Sequence, residues 1–339
     1  MPMTKALSIR ERGAALAAIE REAGAPGRGE VRVSVEACGV CHSDLYVREG
    51  TFPGIAYPRV PGHEVAGVVE EVGPEVAAFR RGDRVGIGWY GGHCSSCDRC
   101  RRGDFILCRK GEITGITRDG GYAGAMIARA EALARIPDAI APAEAAPLLC
   151  AGVTTFNALR HTGARPGDLV AVQGIGGLGH LAIQFASRMG FETVAIARGS
   201  EKASLAKKLG AAQFIDAAAA DPGKALADRG GARVILATAP SGKSMSALVG
   251  GLGPDGELMV VGASPDPIEV SPLALISNRV SVRGWPSGSA SASEDALLFS
   301  AVTGVRPMIE AYPFARAAEA FERGVTGAAR FRAVIEMGG

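Results

Sequence analysis

The amino-acid sequence predicts an α/β protein made of a β-rich part and a doubly wound parallel sheet. At 339 residues the chain is longer than one hydrophobic core usually supports, so we expect two domains. From about residue 30 to residue 150, short β-like runs are interrupted by Gly and Pro, which indicates an irregular all-β domain. From residue 151 onward, apolar strands alternate with helical stretches, a pattern typical of a parallel sheet.

Apolar runs between turn residues give the predicted strands. They are 31–35, 64–72 and 84–88 in the β-rich part, and 169–173, 193–197, 213–216, 233–238, 257–262 and 279–284 in the second part. Amphipathic or Ala-rich segments separate most strands of the second part. The helix predicted after residue 173 carries apolar residues at helical spacing, namely Leu178, Leu181, Ala182, Phe185 and Met189.

The charge of the chain gives no reason to expect a nucleic-acid or membrane partner. Its 37 basic and 35 acidic residues are spread along the chain and leave a formal net charge of +2. No unbroken apolar stretch approaches the ~18 residues that cross a bilayer. The first residues lead into Arg10, Glu11 and Arg12 without the apolar stretch of a secretory signal. We therefore expect a soluble, cytoplasmic protein without disulfides.

Four cysteines lie close together in the β-rich part. Two, two and seven residues separate Cys94, Cys97, Cys100 and Cys108. Short gaps let one loop turn several thiolates toward one metal ion, and a closed shell of four thiolates is typical of structural zinc. The bacterial ferredoxin pattern has proline after its last cysteine, where this chain has Arg109. We predict a structural zinc site, with an iron–sulfur cluster or redox-active cysteines as the alternatives.

The segment after the predicted strand 169–173 has the spacing of a dinucleotide-binding turn. It reads Gly174-Ile175-Gly176-Gly177-Leu178-Gly179 and precedes the predicted helix. In such a turn the first glycine makes the bend, the second lets the backbone approach a pyrophosphate, and the third lets the helix pack on the strand. The N-terminus of the helix then faces the anion. With a strand before it and a helix after it, this segment predicts a dinucleotide site.

The end of the next predicted strand indicates which dinucleotide binds. An NAD-binding protein usually has Asp or Glu there, about 20 residues after the turn, to accept hydrogen bonds from the adenosine ribose. Here the strand ends at Ala197 and is followed by Arg198, Ser200 and Lys202. Ala197 leaves room for a 2′-phosphate, and the other three supply positive charge and a hydrogen-bond donor. We predict NADP, and NAD is the alternative if Arg198 is solvated and Ser200 only caps the next helix.

A second metal site can be assembled from separate parts of the chain. Cys41, His63 and Cys150 supply two thiols and one imidazole outside the four-cysteine segment. Two thiolates, one imidazole and an open fourth position form the arrangement of a catalytic zinc ion. Isolated cysteines are usually small buried apolar residues, so spacing alone leaves both interpretations open.

Five segments together carry a family resemblance. They are ACGVCHSDLY (37–46), PGHEVAGVVEEVG (61–73), the four-cysteine segment, LLCAGVTTFNAL (148–159) and GIGGLGHLAIQFA (174–186). In this order they resemble the zinc-dependent alcohol dehydrogenases of the medium-chain dehydrogenase/reductase superfamily, and the match spans almost the whole chain. The resemblance implies a GroES-like catalytic domain over residues 1–151 with both zinc sites, an inserted Rossmann domain over 152–290, and a return to the catalytic domain over 291–339. It also implies an active site in the cleft between the domains.

The resemblance assigns roles to individual residues. It makes Cys41, His63 and Cys150 the ligands of a catalytic zinc ion and the four-cysteine segment the site of a structural one, so that each chain holds two. Ser43 matches a hydroxyl group that contacts the substrate oxygen. Near the metal, Asp44 matches a carboxylate behind the zinc ligands and Glu64 matches a further acid. Trp89 matches a wall of the substrate pocket. At the cofactor, His42 and Arg332 match residues that meet the pyrophosphate, and Thr154 matches one beside the nicotinamide.

One position departs from the pattern of the family. Many relatives have histidine five residues after the first catalytic cysteine, where it ends a proton relay to solvent, and this chain has Tyr46. A phenol has a pKa near 10 and is a poorer base at neutral pH than an imidazole. The identity of the terminal base is therefore open, whereas the zinc chemistry is unaffected.

The residues and the resemblance together predict a zinc-dependent, NADP-preferring alcohol dehydrogenase or aldehyde reductase. Hydride would pass between a zinc-bound primary alcohol, as its alkoxide, and the nicotinamide. A polyol or secondary-alcohol dehydrogenase on the same scaffold is the nearest alternative, and a non-catalytic zinc- and nucleotide-binding sensor is an alternative of another class. The partners that we expect are a small alcohol or aldehyde and further copies of the chain, in a dimer or a tetramer.

Overall fold

Short strands form much of the computed structural model, which describes residues 2–338. Numbered β1 to β17 along the chain, they span Met3–Ser8, Ala17–Glu22, Glu30–Gly39, Val65–Val72, Arg84–Ile87, Tyr90–Gly92, Glu112–Ile113, Ala125–Arg129, Leu133–Arg135, Leu169–Gln173, Glu192–Ala197, Gln213–Asp216, Ala232–Ala237, Leu252–Val260, Ser281–Gly284, Ile309–Pro313 and Arg332–Glu336. Several of them, such as β11 and β13, are rich in Val, Ile and Ala, and Gly or Pro lies at or near many strand ends, as expected of strands bounded by turns.

Helices connect and cover these strands. Numbered α1 to α10, they span Asp44–Glu49, Pro142–Pro147, Val153–Arg160, Gly179–Arg188, Ala203–Lys208, Pro222–Ala227, Gly242–Ser246, Pro272–Asn278, Ala290–Thr303 and Ala317–Val325. Proline begins α2, α6 and α8, where the N–H group that it lacks would have no partner within the helix. A π-helical turn, Leu148–Gly152, joins α2 to α3. Among the described helices, none has the length and apolar character needed to cross a membrane.

The chain divides into two compact units, and the first contains the residues up to Val153 and from Ser287 onward. Its main sheet has seven strands, in the order β16-β17-β3-β4-β5-β9, with β8 paired to β3. Because β17 runs antiparallel to β3, the C-terminal segment completes a sheet that begins near the N-terminus. Val33, Val65 and Ile335 are among the buried residues that pack in the core of this unit.

The second unit, Thr154–Pro286, contains a six-stranded sheet in the order β12-β11-β10-β13-β14-β15. Every neighbouring pair of strands is parallel. The strand order reverses beside β10, and ligands of doubly wound sheets bind outside the carboxyl ends of the strands at such a point. The predicted α/β class, with a β-rich part and a doubly wound parallel sheet, is confirmed.

The six strands predicted for the parallel sheet are all present, and one of them starts much earlier than predicted. The sequence analysis placed its start at residue 257, whereas β14 begins at Leu252. Residues 253–256 read as a turn, and Asp255 has a φ of 56°. They nevertheless lie inside the strand, because the pairing with β13 continues across an irregularity between Ala232 and Val234.

Candidate functional site

The four-cysteine segment is the first of two groups of metal-binding side chains in the first unit. Four sulfur–sulfur distances among Cys94, Cys97, Cys100 and Cys108 lie between 3.5 and 4.0 Å. Sulfur atoms in a tetrahedral shell with zinc–sulfur bonds of about 2.3 Å are about 3.8 Å apart. A disulfide would need about 2.05 Å, and a cluster of several iron atoms would hold its cysteines farther apart. The geometry therefore fits one tetrahedral ion.

The electrostatics of this segment also fit a cation. Hydrogen bonds from Ser96 and from the backbone lower the pKa of Cys94 to about 5, and backbone N–H groups lower the pKa of Cys97. Burial and the neighbouring sulfurs raise the pKa of Cys100 to about 12. Four thiolates repel one another when nothing balances their charge, and a divalent cation would provide that balance.

Cys41, His63, Glu64 and Cys150 form the second group, and their ligand atoms lie within 4.8 Å of one another. Cys41 comes shortly after the end of β3, His63 comes shortly before β4, and Cys150 lies in the π-helical turn. The sulfur atoms of Cys41 and Cys150 are 3.9 Å apart, again near the edge of a tetrahedron around zinc. π-Helical turns occur frequently at functional sites. The structure thus brings together the three donors that the sequence analysis combined.

A buried carboxylate lies beside His63. Its Nδ1 atom lies 3.1 Å from Oδ1 of Asp44. The same carboxylate accepts hydrogen bonds from the backbone N–H of Cys41 at 3.0 Å and from the hydroxyl of Tyr122 at 2.7 Å. A proton on Nδ1, facing the carboxylate, leaves the lone pair of His63 on Nε2. Neither ring nitrogen makes a hydrogen bond of good geometry among the described residues: Nδ1 has the Asp44 carboxylate beside it, and Nε2 has no hydrogen-bond partner and can bind a metal ion.

The surroundings of Cys41 favour its thiolate form. A hydrogen bond from the Cys150 thiol lowers the pKa of Cys41, and the positive charge of Arg332 lowers it further, against the effect of burial. A thiolate is the form that binds zinc. The donor set is therefore chemically suited to zinc as well as geometrically suited to it.

Glu64 of this group forms a buried ion pair with Arg332. Their side chains are 0 % and 7 % exposed. Gly39 makes room for the carboxylate, because a Cβ atom at that position would lie 2.0 Å from Oε2 of Glu64. Burial raises the pKa of Glu64 to about 7, although Arg332 lowers it. Oε2 of Glu64 and Nε of Arg332 are both buried without hydrogen-bond partners among residues 2–338, so each can meet a further ligand.

The predicted dinucleotide turn lies between β10 and α4 in the second unit. Gly174 has a φ of +95°, and a Cβ atom there would lie 2.8 Å from Oγ1 of Thr238. At Gly179 a Cβ atom would lie 1.9 Å from the carbonyl oxygen of Gly174, so α4 can pack this closely only with glycine. At Gly176 no described atom lies within 4 Å of the Cβ position, which leaves its backbone accessible to a ligand. These environments match the three roles of the glycines in a dinucleotide-binding turn.

Comparisons with known proteins identify the family. Residues 27–138 match the model of the alcohol dehydrogenase GroES-like domain, and residues 177–301 match that of the zinc-binding dehydrogenase. The chain belongs to the zinc-type medium-chain alcohol dehydrogenases. The predicted GroES-like domain and Rossmann-type domain are confirmed by these matches.

Individual alcohol dehydrogenases resemble this one over nearly their whole length. Alcohol dehydrogenase patD of Penicillium expansum is 45 % identical, and the match covers 97 % of this chain and 96 % of that protein. NADP-dependent alcohol dehydrogenase C 1 of Mycolicibacterium smegmatis is 37 % identical, with coverages of 92 % and 91 %. The solved structure of a cinnamyl alcohol dehydrogenase from Sorghum bicolor is 32 % identical with a TM-score of 0.90, and the match covers 99 % of this chain and 98 % of that one.

In this alcohol dehydrogenase, the loop after β11 carries the residues predicted to select the cofactor. β11 ends at the buried Ala197, and Arg198 is exposed without an ion pair among the described residues. A carboxylate lies nearby, because Asp216 of β12 pairs with Ala197. It accepts hydrogen bonds from the N–H groups of Gly199 and Ala218, each at 2.9 Å. These two hydrogen bonds lower the pKa of Asp216, and the one from Ala218 has the larger effect. The carboxylate of Asp216 therefore holds the backbone of this loop in place.

Ser200 and Lys202 lie in the same loop, at the two ends of a 3₁₀ turn that precedes α5. Neither side chain caps α5 by a hydrogen bond. Ser200 therefore does not cap the helix in the structure, and the residue is exposed.

Three further predicted residues lie at the start of α1. Ser43 directly precedes the helix, and its hydroxyl group does not cap it. Nδ1 of His42 donates a hydrogen bond to the carbonyl oxygen of Val325 at 2.8 Å. The ring of Tyr46 lies edge-on to that of His42, with centroids 6.4 Å apart. The roles predicted for Ser43 and His42 stay predictions.

Trp89 and Thr154 are the remaining predicted residues. The indole ring of Trp89 meets the imidazole of His63 edge-on, with centroids 5.1 Å apart. Phe52 in turn packs edge-on against Trp89 at 5.7 Å. Thr154 lies in α3, one helical turn after Cys150 in the sequence. Trp89 thus lies beside the candidate metal site, as expected for a wall of its pocket.

Sequence reasoning missed Tyr122 and Asp216. Tyr122 is 78 residues from Asp44 in the sequence, and no motif links the two. Asp216, by contrast, ends a strand that was predicted. The parallel pairing of that strand with the one ending at Ala197 was the signal that could have placed the carboxylate beside the cofactor loop.

Proposed function

We propose that this protein is a zinc-dependent alcohol dehydrogenase that prefers NADP and interconverts a primary alcohol and its aldehyde. The observation that carries the proposal is the convergence of Cys41, His63 and Cys150, with the partnerless Nε2 of His63 among them. We assign a catalytic zinc ion to these three residues and a structural one to the four-cysteine segment. The domains that we propose are a catalytic domain over 1–151, a dinucleotide-binding domain over 152–290 and a C-terminal return over 291–339.

The chain's own residues would carry most steps of the reaction. A zinc ion held by the three donors would make the hydroxyl group of a bound alcohol more acidic. Ser43, two residues after Cys41, would accept the proton that the alcohol releases. Trp89 would offer an apolar face that excludes water from the carbon chain of the alcohol.

The cofactor would be held by its phosphates. The N–H groups of the glycine turn and the N-terminus of α4 favour a pyrophosphate. His42 and Arg332, which carry donors or positive charge, are proposed to contact the same group. Held by these residues, the cofactor would supply the nicotinamide ring as the hydride acceptor.

A non-catalytic sensor is a weaker explanation of the same residues. A metal ion that only stabilises a fold is enclosed by four ligands, as the four-cysteine segment provides. The second group offers two thiols and one imidazole, because its carboxylate, Glu64, is paired with Arg332. An open coordination position has a use in a reaction and none in a structural site.

Zinc analysis combined with turnover tests the proposal. We expect two zinc ions per chain and oxidation of primary alcohols with NADP⁺ that is faster than oxidation of secondary alcohols or polyols. Elemental analysis and initial rates with one alcohol of each class give the two results. One zinc ion or fewer in fully active protein, or two zinc ions without turnover of any class, would contradict the proposal.

The loop after β11 supports the proposed NADP preference. The strand ends at Ala197 instead of an acid, Arg198 is exposed, and an NADP-dependent enzyme is among the similar proteins. Asp216 is already engaged by two backbone N–H groups. A free carboxylate that would bind ribose and repel a 2′-phosphate is therefore missing at the end of β11.

Replacing Ala197 by Asp and Arg198 by Ile together should shift the preference toward NAD. A carboxylate at 197 would accept hydrogen bonds from the ribose, and loss of Arg198 would remove a charged contact to the 2′-phosphate. Such contacts contribute about 1.5–3 kcal/mol, so the ratio of kcat/KM with NADPH to that with NADH should fall at least 10-fold. Arg188→Ile, the same change in the last turn of α4, should leave the ratio unchanged. A higher kcat/KM with NADH in the unmodified enzyme would show that this loop has been misinterpreted.

A further inference from the structure

A buried chain of three side chains leads away from the candidate metal site. The Tyr122 hydroxyl donates a hydrogen bond to Oδ2 of Asp44 at 2.7 Å, and Oδ1 of the same carboxylate lies 3.1 Å from Nδ1 of His63. All three residues are 0 or 1 % exposed. The other donor to Asp44 among residues 2–338 is a backbone group, the N–H of Cys41. Tyr122 is thus the outer end of a chain of contacts that reaches the imidazole.

Backbone hydrogen bonds fix Tyr122 relative to His63. Residues 120–122 pair with residues 60–62, which directly precede His63, through three N–H to carbonyl bonds: Gly120 to Val60 at 2.8 Å, Gly121 to Gly62 at 2.9 Å and Tyr122 to Pro61 at 3.0 Å. Gly62 has a φ of +97°, and a Cβ atom there would lie 2.5 Å from the ring of Tyr122. The phenol ring therefore packs on the segment that presents His63.

The Tyr122 hydroxyl is one of two donors to Oδ2 of Asp44 among the described residues. Water does not reach this carboxylate, so it depends on the donors that the protein provides. Without the phenol hydroxyl, Oδ2 would be left with the Cys41 N–H alone, and the carboxylate could turn away from His63 to improve that contact. The imidazole would then lose the partner that fixes its tautomer and its direction.

We propose that Tyr122 is a positioning residue of the zinc site formed by Cys41, His63 and Cys150. Its hydroxyl group fixes Asp44, and Asp44 fixes the imidazole of His63 for the metal ion. The inference rests on the proposed function, because it concerns how firmly that site retains zinc. Partners behind metal-binding histidines typically change metal affinity 10- to 100-fold.

Tyr122→Phe tests the proposal, since it removes one oxygen atom and keeps the packed ring. Transfer of zinc from the purified protein to the chelator 4-(2-pyridylazo)resorcinol should show one phase for each zinc ion. We expect the phase of the open site to become on the order of 10-fold faster, while that of the four-cysteine segment stays unchanged as an internal reference. With Co²⁺ in the open site, the visible d–d bands should shift, because they report the ligand geometry around the metal.

Tyr312→Phe is the matched control. Tyr312 is also buried, and its hydroxyl donates to a carboxylate, Oε2 of Glu310, at 2.8 Å in the same seven-stranded sheet. Both variants should lower the thermal midpoint to a similar degree, and only Tyr122→Phe should accelerate zinc release. Equal release rates in the two variants would overturn the proposal. Fewer than two zinc ions in the unmodified protein would instead overturn the proposed function.

The route through Asp44 is tested by adding Tyr122→Phe to Asp44→Asn. If Tyr122 acts through the carboxylate, Asp44→Asn alone accelerates zinc release and the second substitution adds little. If the fold-increases in the rate of zinc release multiply in the double variant, Tyr122 acts by another route, which would contradict the proposal. If Tyr122→Phe is not recovered as folded protein, Asp44→Asn is the test. An unchanged rate of zinc release in Asp44→Asn would contradict the proposed chain of contacts.

Discussion

Replacing Cys41 by Ser is expected to abolish alcohol oxidation in a chain that stays folded. A serine hydroxyl is a hard, protonated donor at neutral pH and binds zinc far more weakly than a thiolate does. Loss of the Lewis acid removes several kcal/mol of stabilisation from the transition state, so kcat should fall about 10³-fold or more. The residue lies outside the sheets, in the loop between β3 and α1, and therefore little packing is lost. Turnover with NADP⁺, zinc content and the thermal midpoint should be measured on the same sample.

The same change in the four-cysteine segment is expected to act on folding instead. The segment around Cys97 contains two 3₁₀ turns, Cys100–Arg102 and Phe105–Leu107, and most of its side chains reach solvent. With so little core of its own, its folded state depends on the metal ion that four thiolates would enclose. Cys97→Ser should therefore lower the thermal midpoint and the yield of folded protein.

Cys38 supplies the control for both substitutions. It is fully buried in the core of the first unit and belongs to neither group of metal-binding side chains. Cys38→Ser should reduce stability, because a hydroxyl group replaces a buried thiol, while zinc content and kcat per folded chain are retained. The assignment of the two sites is wrong if Cys38→Ser loses a zinc ion or if Cys41→Ser remains fully active.

The parallel sheet was predictable because its signals are local. Each buried strand is a short apolar run, and the glycine turn follows directly after the first of them. The start of β14 was missed because residues 253–256 have the composition of a turn, and only pairing with β13 keeps them in the strand. The pairing of β17 with β3 joins the two ends of the chain. Hydrophobic periodicity does not indicate which distant strands pair, so the return of the C-terminal segment to the first domain was predicted only from the family resemblance.

The candidate site was predictable where donor type and spacing carry the chemistry. Thiols at short gaps define the four-cysteine segment, and scattered Cys and His residues define the second group once the family order is recognised. Tyr122 was not predictable, because a tyrosine in a glycine-rich segment has many ordinary roles and its partner is 78 residues away. Its place behind His63 results from the backbone pairing of residues 120–122 with 60–62, which only the folded chain creates.

Replacing Ser43 by Ala is expected to lower kcat on the order of 10²-fold with zinc content unchanged. Under the proposed function, the Ser43 hydroxyl is the first acceptor of the alcohol proton, and a positioned proton carrier typically contributes at least that factor. The hydroxyl group is not used to cap α1, so its loss should cost the helix little. The measurement is kcat together with the primary deuterium isotope effect of the alcohol, since cofactor release often limits kcat in enzymes of this kind.

Ser43→Thr and Tyr46→Phe make the proton-transfer test specific. Threonine keeps a hydroxyl group at position 43 and should restore most of the activity, which a purely steric explanation of Ser43→Ala would not predict. Tyr46→Phe should lower kcat only a few-fold, because a phenol is a poor base near neutral pH and the proton can pass from Ser43 to water or to the cofactor ribose instead. With a clear isotope effect, a large loss in Tyr46→Phe would place the tyrosine in the relay, and an unchanged kcat in Ser43→Ala would remove the serine from it. Comparing the double variant with the two single variants decides which hydroxyl group carries the proton. If both residues belong to one relay, the double variant should lose little more kcat than the more damaged single variant. If they act independently, the fold-losses in kcat should multiply.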